Sequence, residues 1–219
     1  MASDTQSFVV SVNYRLAPEH RLPAAYDDAM EALHWIKTSN DSWIAWHADY
    51  SQCYLMGESA GGNIAYNAGL RAAAEADSIK PVRIQGLILV QPFFGGTQRT
   101  QSELRLANNL ALPLFVTDLM WKLSLPLGVD RDYEYSNPKV NGGSPVLNEM
   151  RALGWTVVVF GCYGDLLVDR QRELVKLVED KGVTVVGHFF PGGWHGMFVG
   201  DPSVAGKLYQ LLLIQITGL

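Results

Sequence analysis

The sequence predicts an α/β domain in which a parallel sheet is flanked by helices. Short apolar runs rich in β-branched and aromatic residues are bounded by glycine, proline or asparagine, and segments with helical periodicity lie between them. Runs such as Ile84–Val90 are continuously apolar, which is typical of strands covered on both faces. Strands that alternate with helices favour a parallel sheet. The predicted strands are Phe8–Tyr14, Cys53–Met56, Ile84–Val90, Thr156–Phe160 and Thr184–Phe190.

Helical periodicity predicts four helices around these strands. The first has one apolar stripe and early acidic residues, where the helix dipole favours negative charge. The third has Asp169 as its N-cap candidate and Gly182 as the residue that follows its C-terminal cap. The predicted helices are Ala24–Lys37, Ser59–Glu75, Asp169–Lys181 and roughly Val204–Ile216.

Residues 97–150 differ from the rest of the chain because they contain several prolines and no β-rich run. We interpret this segment as a mostly helical cap inserted over one end of the sheet; the alternative is a long crossover connection. With 219 residues, the chain has the length of one domain. We therefore expect a single domain over residues 1–219, with the cap as an insertion.

Composition excludes several classes of protein. The chain is 48% hydrophobic with a net charge of −5, so it is not intrinsically disordered, and no Lys/Arg cluster indicates a nucleic-acid partner. No run approaches the roughly 18 apolar residues of a membrane span, and the N-terminus does not resemble a signal peptide.

Two distant cysteines, Cys53 and Cys162, indicate buried thiols in a reducing compartment, so we expect a cytoplasmic protein. No spacing of His and acidic residues indicates a metal site.

The motif Gly57-Glu58-Ser59-Ala60-Gly61 lies between a predicted strand and a predicted helix. A serine in a G-x-S-x-G turn sits on a strained backbone with its hydroxyl exposed, and glycines at both ends allow the turn to close. The turn places Ser59 at a helix N-terminus, where the N–H of Ala60 points at a developing oxyanion. The motif therefore predicts a nucleophilic serine.

A nucleophilic serine needs a general base and an orienting carboxylate. His195 lies in a glycine-rich loop after the last predicted strand, whereas the other four histidines lie in helices, in a strand or before the nucleophile. Asp165 follows a strand and precedes His195, which is the order expected for this type of turn. Asp169 is the competing carboxylate, but its position at a helix start favours a capping role. The three residues supply nucleophilic and acid–base chemistry without a cofactor.

Four segments together resemble the hormone-sensitive-lipase-like α/β-hydrolases, and more narrowly their plant-type carboxylesterase branch. The similarity runs over essentially the whole chain. It implies the α/β-hydrolase fold and hydrolysis of a small-molecule carboxylic ester through an acyl-enzyme, with Ser59 as nucleophile, His195 as general base and acid, Asp165 as orienter and Ala60 as one oxyanion donor. The segments are Val12–Asp28, Gly57–Asn63, Asp165–Asp169 and Gly193–Gly196.

One motif of this family is missing from the sequence. Its members carry a His-Gly-Gly motif, upstream of the segment that matches Val9–Leu16, whose backbone N–H groups supply further oxyanion donors; no His-Gly-Gly occurs here. We expect an N-terminally truncated fold without the family's third strand, which would lie between Val9–Tyr14 and Cys53–Met56. These two strands should either pair directly or leave a gap. We therefore expect weak turnover, even with the three reactive residues assembled.

The same scaffold leaves other functions open. Gibberellin-receptor-like binding proteins of this group lack the catalytic histidine, and hydroxyisoflavanone-type dehydratases use a similar site. A truncated product without activity is the remaining alternative. The cap should supply part of the substrate pocket, with Trp121, Phe115 and Leu123 as candidate wall residues. Packing within the cap is an equally good interpretation of these three side chains.

Overall fold

A computed structural model describes residues 1–217, apart from the side chains of Gln215 and Thr217. Residues 218 and 219, the last two of the predicted domain, lie outside the described residues. The strands are β1 (Cys53–Glu58), β2 (Ile84–Val90), β3 (Thr156–Cys162) and β4 (Thr184–Phe190). The helices are α1 (Ala2–Thr5), α2 (Ala24–Thr38), α3 (Ser42–His47), α4 (Ala60–Ala74), α5 (Gln101–Arg105), α6 (Leu114–Ser124), α7 (Leu147–Ala152), α8 (Val168–Asp180), α9 (Met197–Gly200) and α10 (Pro202–Thr217), with a 3₁₀ turn at Val140–Gly142.

The sheet is parallel, in the order β1-β2-β3-β4. Four predicted strands are confirmed; β1 and β3 each extend two residues further than expected. β2 and β3 are buried almost throughout, as their continuously apolar sequences predict. All carboxyl ends of the strands meet at one edge of the sheet, and this edge carries the predicted reactive residues.

Alternate residues of the strands serve two separate cores. Leu87, Leu89, Val157 and Val159 pack in the larger core with residues of α2, α4 and α8. The intervening residues of β2 and β3 pack in the other core with Phe198, Leu208 and Leu212, which come from α9 and α10. Helices on both faces therefore bury the sheet.

The prediction of a strand at Phe8–Tyr14 is wrong. Residues 7–16 adopt no regular structure, and Val9, Val10 and Val12 are exposed. Among the described residues, no backbone hydrogen bond joins this segment to β1, so β1 is an edge strand. The physical reason is that a strand exists only when another strand satisfies its N–H and C=O groups. Of the two expected arrangements, the structure has the gap: a cleft of about 700 Å³ is lined by this segment, β1 and residues of α2 and α10.

Two helices, α4 and α8, begin one residue away from the predicted positions. α8 begins at Val168 with Leu167 as its N-cap, so Asp169 lies in the first turn and is not the cap. α4 begins at Ala60, and Ser59 is its N-cap residue. Gly182 has φ +73° directly after the C-cap Lys181, as predicted.

Residues 97–150 contain α5, α6, the 3₁₀ turn and part of α7, and no strand. One part packs as a small separate core in which Leu112, Trp121 and Leu125 contact Phe93 and other residues. The end of the segment differs, because Leu147 and Met150 belong to the larger core of the sheet. Among the described helices of the whole chain, none is long and apolar enough to cross a membrane.

Candidate active site

Ser59 lies at the sharp turn between β1 and α4. Its backbone has φ 53° and ψ −117°, a strained conformation for a non-glycine residue. A Cβ at Gly57 would lie 2.0 Å from the carbonyl oxygen of Gly61, so this turn closes only around a glycine. Gly61 itself has open space where a Cβ would be, whereas a Cβ at Gly62 would lie 2.9 Å from the Cα of Pro92. The second position that needs a glycine is therefore Gly62. The sequence motif had suggested Gly61 instead, and that expectation is wrong.

The three predicted reactive residues form a continuous hydrogen-bonded chain. The Oγ of Ser59 lies 2.8 Å from Nε2 of His195, and Nδ1 of His195 lies 2.9 Å from Oδ2 of Asp165. The Asp165 side chain is fully buried, and that of His195 is only 10% exposed. The elements bring together residues separated by as many as 136 positions in sequence.

Asp165 has several donors besides His195. Its Oδ1 accepts a hydrogen bond from the backbone N–H of Leu167 at 2.9 Å. Its Oδ2 accepts from the side-chain amides of Gln91 at 3.0 Å and Gln171 at 2.8 Å. Buried carboxylates need such donors because they have lost their water shell. This carboxylate is thus held as an acceptor aimed at the imidazole ring.

The competing carboxylate, Asp169, lies elsewhere. Its Oδ2 accepts a hydrogen bond from the backbone N–H of Ser102 at 2.7 Å, and this contact ties α8 to α5. His188 lies in β4 and stacks on Phe160, with ring centroids 5.0 Å apart. Desolvation lowers the pKa of His188. Both side chains therefore have structural partners of their own: Asp169 joins two helices without capping α8, and His188 packs within the sheet.

Two groups flank Ser59 and affect the charge at the site. Ala60 is the first residue of α4, so its backbone N–H has no acceptor within the helix and lies where an anion is favoured. Glu58 precedes Ser59, and its Oε1 is buried with no hydrogen-bond partner among the described residues. Burial raises the pKa of the Glu58 carboxyl, while the nearby His195 opposes that rise.

Gln91 and Gln171 belong to the candidate site, and the sequence patterns did not point to either of them. Both side chains are fully buried against Asp165. Gln91 immediately follows β2, at the sheet edge where polar side chains of such folds gather, and this position was the one available signal. Gln171 lies within α8 and offers no such signal.

The three candidate pocket residues have different surroundings. Trp121 is buried and stacks on Phe93, with ring centroids 4.9 Å apart, which matches the packing interpretation. Phe115 is 71% exposed and Leu123 is 36% exposed, both on α6. The structure therefore does not bring these three side chains to one surface.

Neither cysteine has the low pKa of a reactive thiol. Burial raises the pKa of Cys162 to about 11, and its Sγ lies 3.4 Å from Nε2 of Gln91. Burial also raises the pKa of Cys53 to about 11, far from neutral pH. Both cysteines are free. Among residues 1–217, no three His, Cys, Asp or Glu side chains are grouped to hold a metal ion.

Comparison with known proteins places this geometry in a family. A family model described as the alpha/beta hydrolase fold matches residues 1–199. An esterase from Pyrobaculum calidifontis has a similar structure, with a TM-score of 0.82 at 23% identity over 99% of this chain and 67% of that one. At that level of identity, the likeness concerns the fold.

Curated relatives are more similar in sequence. Carboxylesterase 20 of Arabidopsis thaliana is 54% identical over 95% of this chain and 64% of its own length. A 3-O-acetylpapaveroxine carboxylesterase of Papaver somniferum is 48% identical over 95% of this chain and 68% of its own. A gibberellin receptor of Arabidopsis thaliana is 40% identical over 81% of this chain and 47% of its own. The chain spans about two thirds of the length of the two carboxylesterases. It belongs to the α/β-hydrolase fold family and, within it, to the plant carboxylesterases.

Proposed function

We propose that the chain is a carboxylic ester hydrolase in which Ser59 is the nucleophile, His195 the general base and acid, and Asp165 the group that orients His195. The observation that carries this proposal is the unbroken contact from Ser59 Oγ to His195 and on to the buried Asp165. The carboxylesterases among the relatives support the same reaction class.

The geometry suits a two-step reaction. Nε2 of His195 takes the proton of the Ser59 hydroxyl as Oγ attacks the ester carbonyl carbon. The tetrahedral intermediate expels the alcohol, which receives the proton from His195, and an acyl-enzyme remains. A water molecule then gives a proton to His195 and attacks the acyl carbon; release of the acid returns the proton to Ser59. Asp165 fixes the ring so that Nε2 faces Ser59 throughout.

Stabilisation of the oxyanion limits the expected rate. The backbone N–H of Ala60 is the oxyanion donor at the turn between β1 and α4. No His-Gly-Gly motif occurs in the sequence to supply the family's other donors. Each lost donor costs about 2.7–4 kcal/mol in the barrier, or roughly 100- to 1000-fold in rate. We therefore expect slow turnover with a competent nucleophile.

Residues 97–150 complete the proposal as the cap. Their small core packs beside the carboxyl ends of the strands through Phe93, Leu166 and Leu167, which lie close in sequence to Gln91 and Asp165. The exposed apolar side chains of α6, including Phe115 and Leu123, supply candidate contacts for an apolar acyl or alcohol group. A small-molecule ester remains the proposed substrate class, and a cytoplasmic location stays a prediction.

Covalent labelling with a fluorophosphonate tests the nucleophile directly, because the reagent needs an activated serine but no turnover. We expect labelling at Ser59, loss of labelling in Ser59→Ala, and at least about 100-fold slower labelling in His195→Ala, since general-base assistance contributes that much. His20→Ala is the matched control, because His20 is exposed and lies outside the site. Equal labelling of His195→Ala and the native chain would contradict the proposal.

Substrate assays separate the remaining functions. Slow hydrolysis of p-nitrophenyl acetate that is lost in Ser59→Ala supports the esterase. Tight binding of a gibberellin without ester cleavage would favour a receptor instead, a function that one relative carries in its name. Dehydration of a hydroxyisoflavanone without ester cleavage would favour the dehydratase.

A further inference from the structure

Gln91 occupies the same position after β2 that Ser59 occupies after β1. It directly follows the last residue of β2, Val90, which pairs with Glu58 in the register of the sheet. Like Ser59, it has a positive φ, 42°, although it is not a glycine. A positive φ costs free energy in a non-glycine residue, and this conformation persists only where the surrounding structure fixes it. Two strained residues therefore lie side by side at the carboxyl edge of the sheet.

The side chain of Gln91 contacts both the acid and the loop that carries the histidine. Its Nε2 donates to Oδ2 of Asp165 at 3.0 Å and to the carbonyl oxygen of Trp194 at 3.1 Å. Its Oε1 accepts from the backbone N–H of Gly196 at 2.8 Å. One fully buried amide thus binds the residues on both sides of His195 and the carboxylate that faces its ring.

These partners also fix the orientation of the amide. Nε2 faces two oxygen acceptors, whereas Oε1 faces an N–H donor. The flipped amide would place its oxygen against a carboxylate and a carbonyl, and its NH₂ group against another donor. Neither arrangement forms hydrogen bonds. Only an uncharged group with a donor and an acceptor in these places satisfies the site.

We propose that Gln91 is a positioning residue that holds the His195 loop in register with Asp165, so that Nε2 of His195 stays aimed at Ser59. This inference rests on the proposed function. The loop is rich in glycine from Gly192 to Gly196, so its own backbone does little to fix the imidazole. The backbone of Gln91 is itself anchored, because its N–H donates to the carbonyl oxygen of Phe160 at 2.7 Å.

Gln171 provides a matched control within the same site. Its side chain is equally buried, and its Nε2 donates to the same Oδ2 of Asp165 at 2.8 Å. Its Oε1 has no partner among the described residues, and no contact to the His195 loop is seen for it in the part of the chain that the structure describes. Loss of Gln171 therefore removes a donor to the acid without releasing the loop.

The experiment compares Gln91→Met, Gln91→Glu and Gln171→Met in the full chain. Methionine keeps the length of the side chain and removes both hydrogen-bonding groups. Glutamate keeps the shape and replaces the donor with an oxygen. The readouts are the rate of fluorophosphonate labelling at Ser59, kcat and KM for p-nitrophenyl acetate, and the far-downfield proton resonance of the hydrogen bond between His195 and Asp165. Circular dichroism measures the folded fraction.

We expect Gln91→Met to label about 10- to 100-fold more slowly, because it loses the two hydrogen bonds to the His195 loop in addition to the one to Asp165, with kcat reduced and KM little changed. Gln91→Glu should be at least as slow, and both should weaken or lose the downfield resonance while remaining folded. Gln171→Met should lose less than about 10-fold and keep the resonance. Native rates in either Gln91 variant, or equal losses in Gln171→Met and Gln91→Met, would overturn the inference.

The outcome is separable from that of the proposed function. If the native chain is not labelled at Ser59, the esterase proposal fails. The resonance still tests Gln91 in that case: its presence in the native chain and loss in Gln91→Met support the positioning role. An unchanged resonance in a folded Gln91→Met refutes that role.

Discussion

The centre of the sheet and its β1 edge differ in how completely the chain covers them, and we call them the closed side and the open side. On one side, β2 and β3 are paired on both edges and covered on both faces by α4, α8, α9 and α10. On the other side, β1 has an open outer edge, and the neighbouring residues 7–16 are extended and largely exposed. Ser59 lies at the end of β1, on the open side, whereas Asp165 and His195 follow β3 and β4.

This contrast teaches that apolar, β-branched composition is not enough to make a strand. Phe8–Tyr14 and Ile84–Val90 are both rich in residues that favour strands, but only the second has neighbours on both sides. The first contacts the rest of the molecule through Phe8, whose ring lies edge-to-face against Trp43, and the residue that follows it, Arg15, binds Asp28 through its backbone N–H and its side chain. Residues 8–14 take no part in the three buried cores.

The largest expected difference between the two sides concerns their ion pairs. Arg170 and Glu103 form a two-pronged pair with side chains only 6% and 3% exposed, whereas the Arg15 side chain is 48% exposed in its pair with Asp28. Arg170→Met should lower the free energy of unfolding by about 3–5 kcal/mol, because it leaves Glu103 buried without its counter-ion. Arg15→Met should leave the urea midpoint almost unchanged. Similar midpoints for both variants would contradict the contrast.

Truncation of apolar side chains should show the same asymmetry. Leu87 is fully buried in β2 and packs against Gly69 of α4. Leu87→Ala should cost about 2–5 kcal/mol in urea unfolding, through lost burial and the cavity that remains. Val12→Ala, at a 37% exposed position that lines the cleft, should cost less than about 0.5 kcal/mol. A cost at Val12 comparable to that at Leu87 would mean that the segment is packed in solution.

Limited proteolysis tests the open side without mutation. Segments without buried contacts or backbone pairing open at low free energy. Brief digestion with trypsin should therefore cut first after Arg15, while Arg170 remains protected until global unfolding. Mass spectrometry of the early fragments identifies the site. First cleavage within α8 would reverse the assigned order of stability.

The smallest expected effect is a pH dependence at the edge strand β4. Burial lowers the pKa of His188 from its ordinary value of 6.5, so the folded chain binds fewer protons than the unfolded chain near and below that pH. Stability contributed by neutral His188 is thus present above pH 6.5 and lost as the pH falls below it. His188→Phe keeps an aromatic ring against Phe160 and should flatten the decline in the unfolding midpoint between pH 7 and pH 5. An unchanged decline would assign the effect to other groups.

The sequence allowed most of the fold to be predicted, because continuous apolar runs and helical periodicity reflect local physics. Four strands and the main helices lie where these patterns placed them. The prediction for Phe8–Tyr14 failed because pairing is a long-range property that the segment's own residues do not encode. Asp169 was predicted as the N-cap of α8 but is the second residue of that helix, two residues beyond the observed N-cap Leu167, because helix boundaries depend on neighbouring contacts, here with Ser102.

The candidate site divides in the same way. The glycine-flanked Ser59 could be predicted as a nucleophile because its turn imposes a sequence motif, and the expected order of Asp165 and His195 follows from the topology. Gln91 was not predicted, since its position after β2 is a weak signal and a glutamine is not a typical catalytic side chain. Its importance is visible only where the chain brings residues 91, 165, 194 and 196 into contact.

The open edge of β1 has a consequence for how the protein behaves at high concentration. An edge strand with free N–H and C=O groups is a template on which another extended chain can add, and proteins usually protect such edges with charges, prolines or a covering element. Here the outward face includes Met56, 36% exposed, beside an apolar cleft. Self-association of this chain should therefore begin at β1. A charged substitution in this strand, such as Met56→Lys, should improve its solubility.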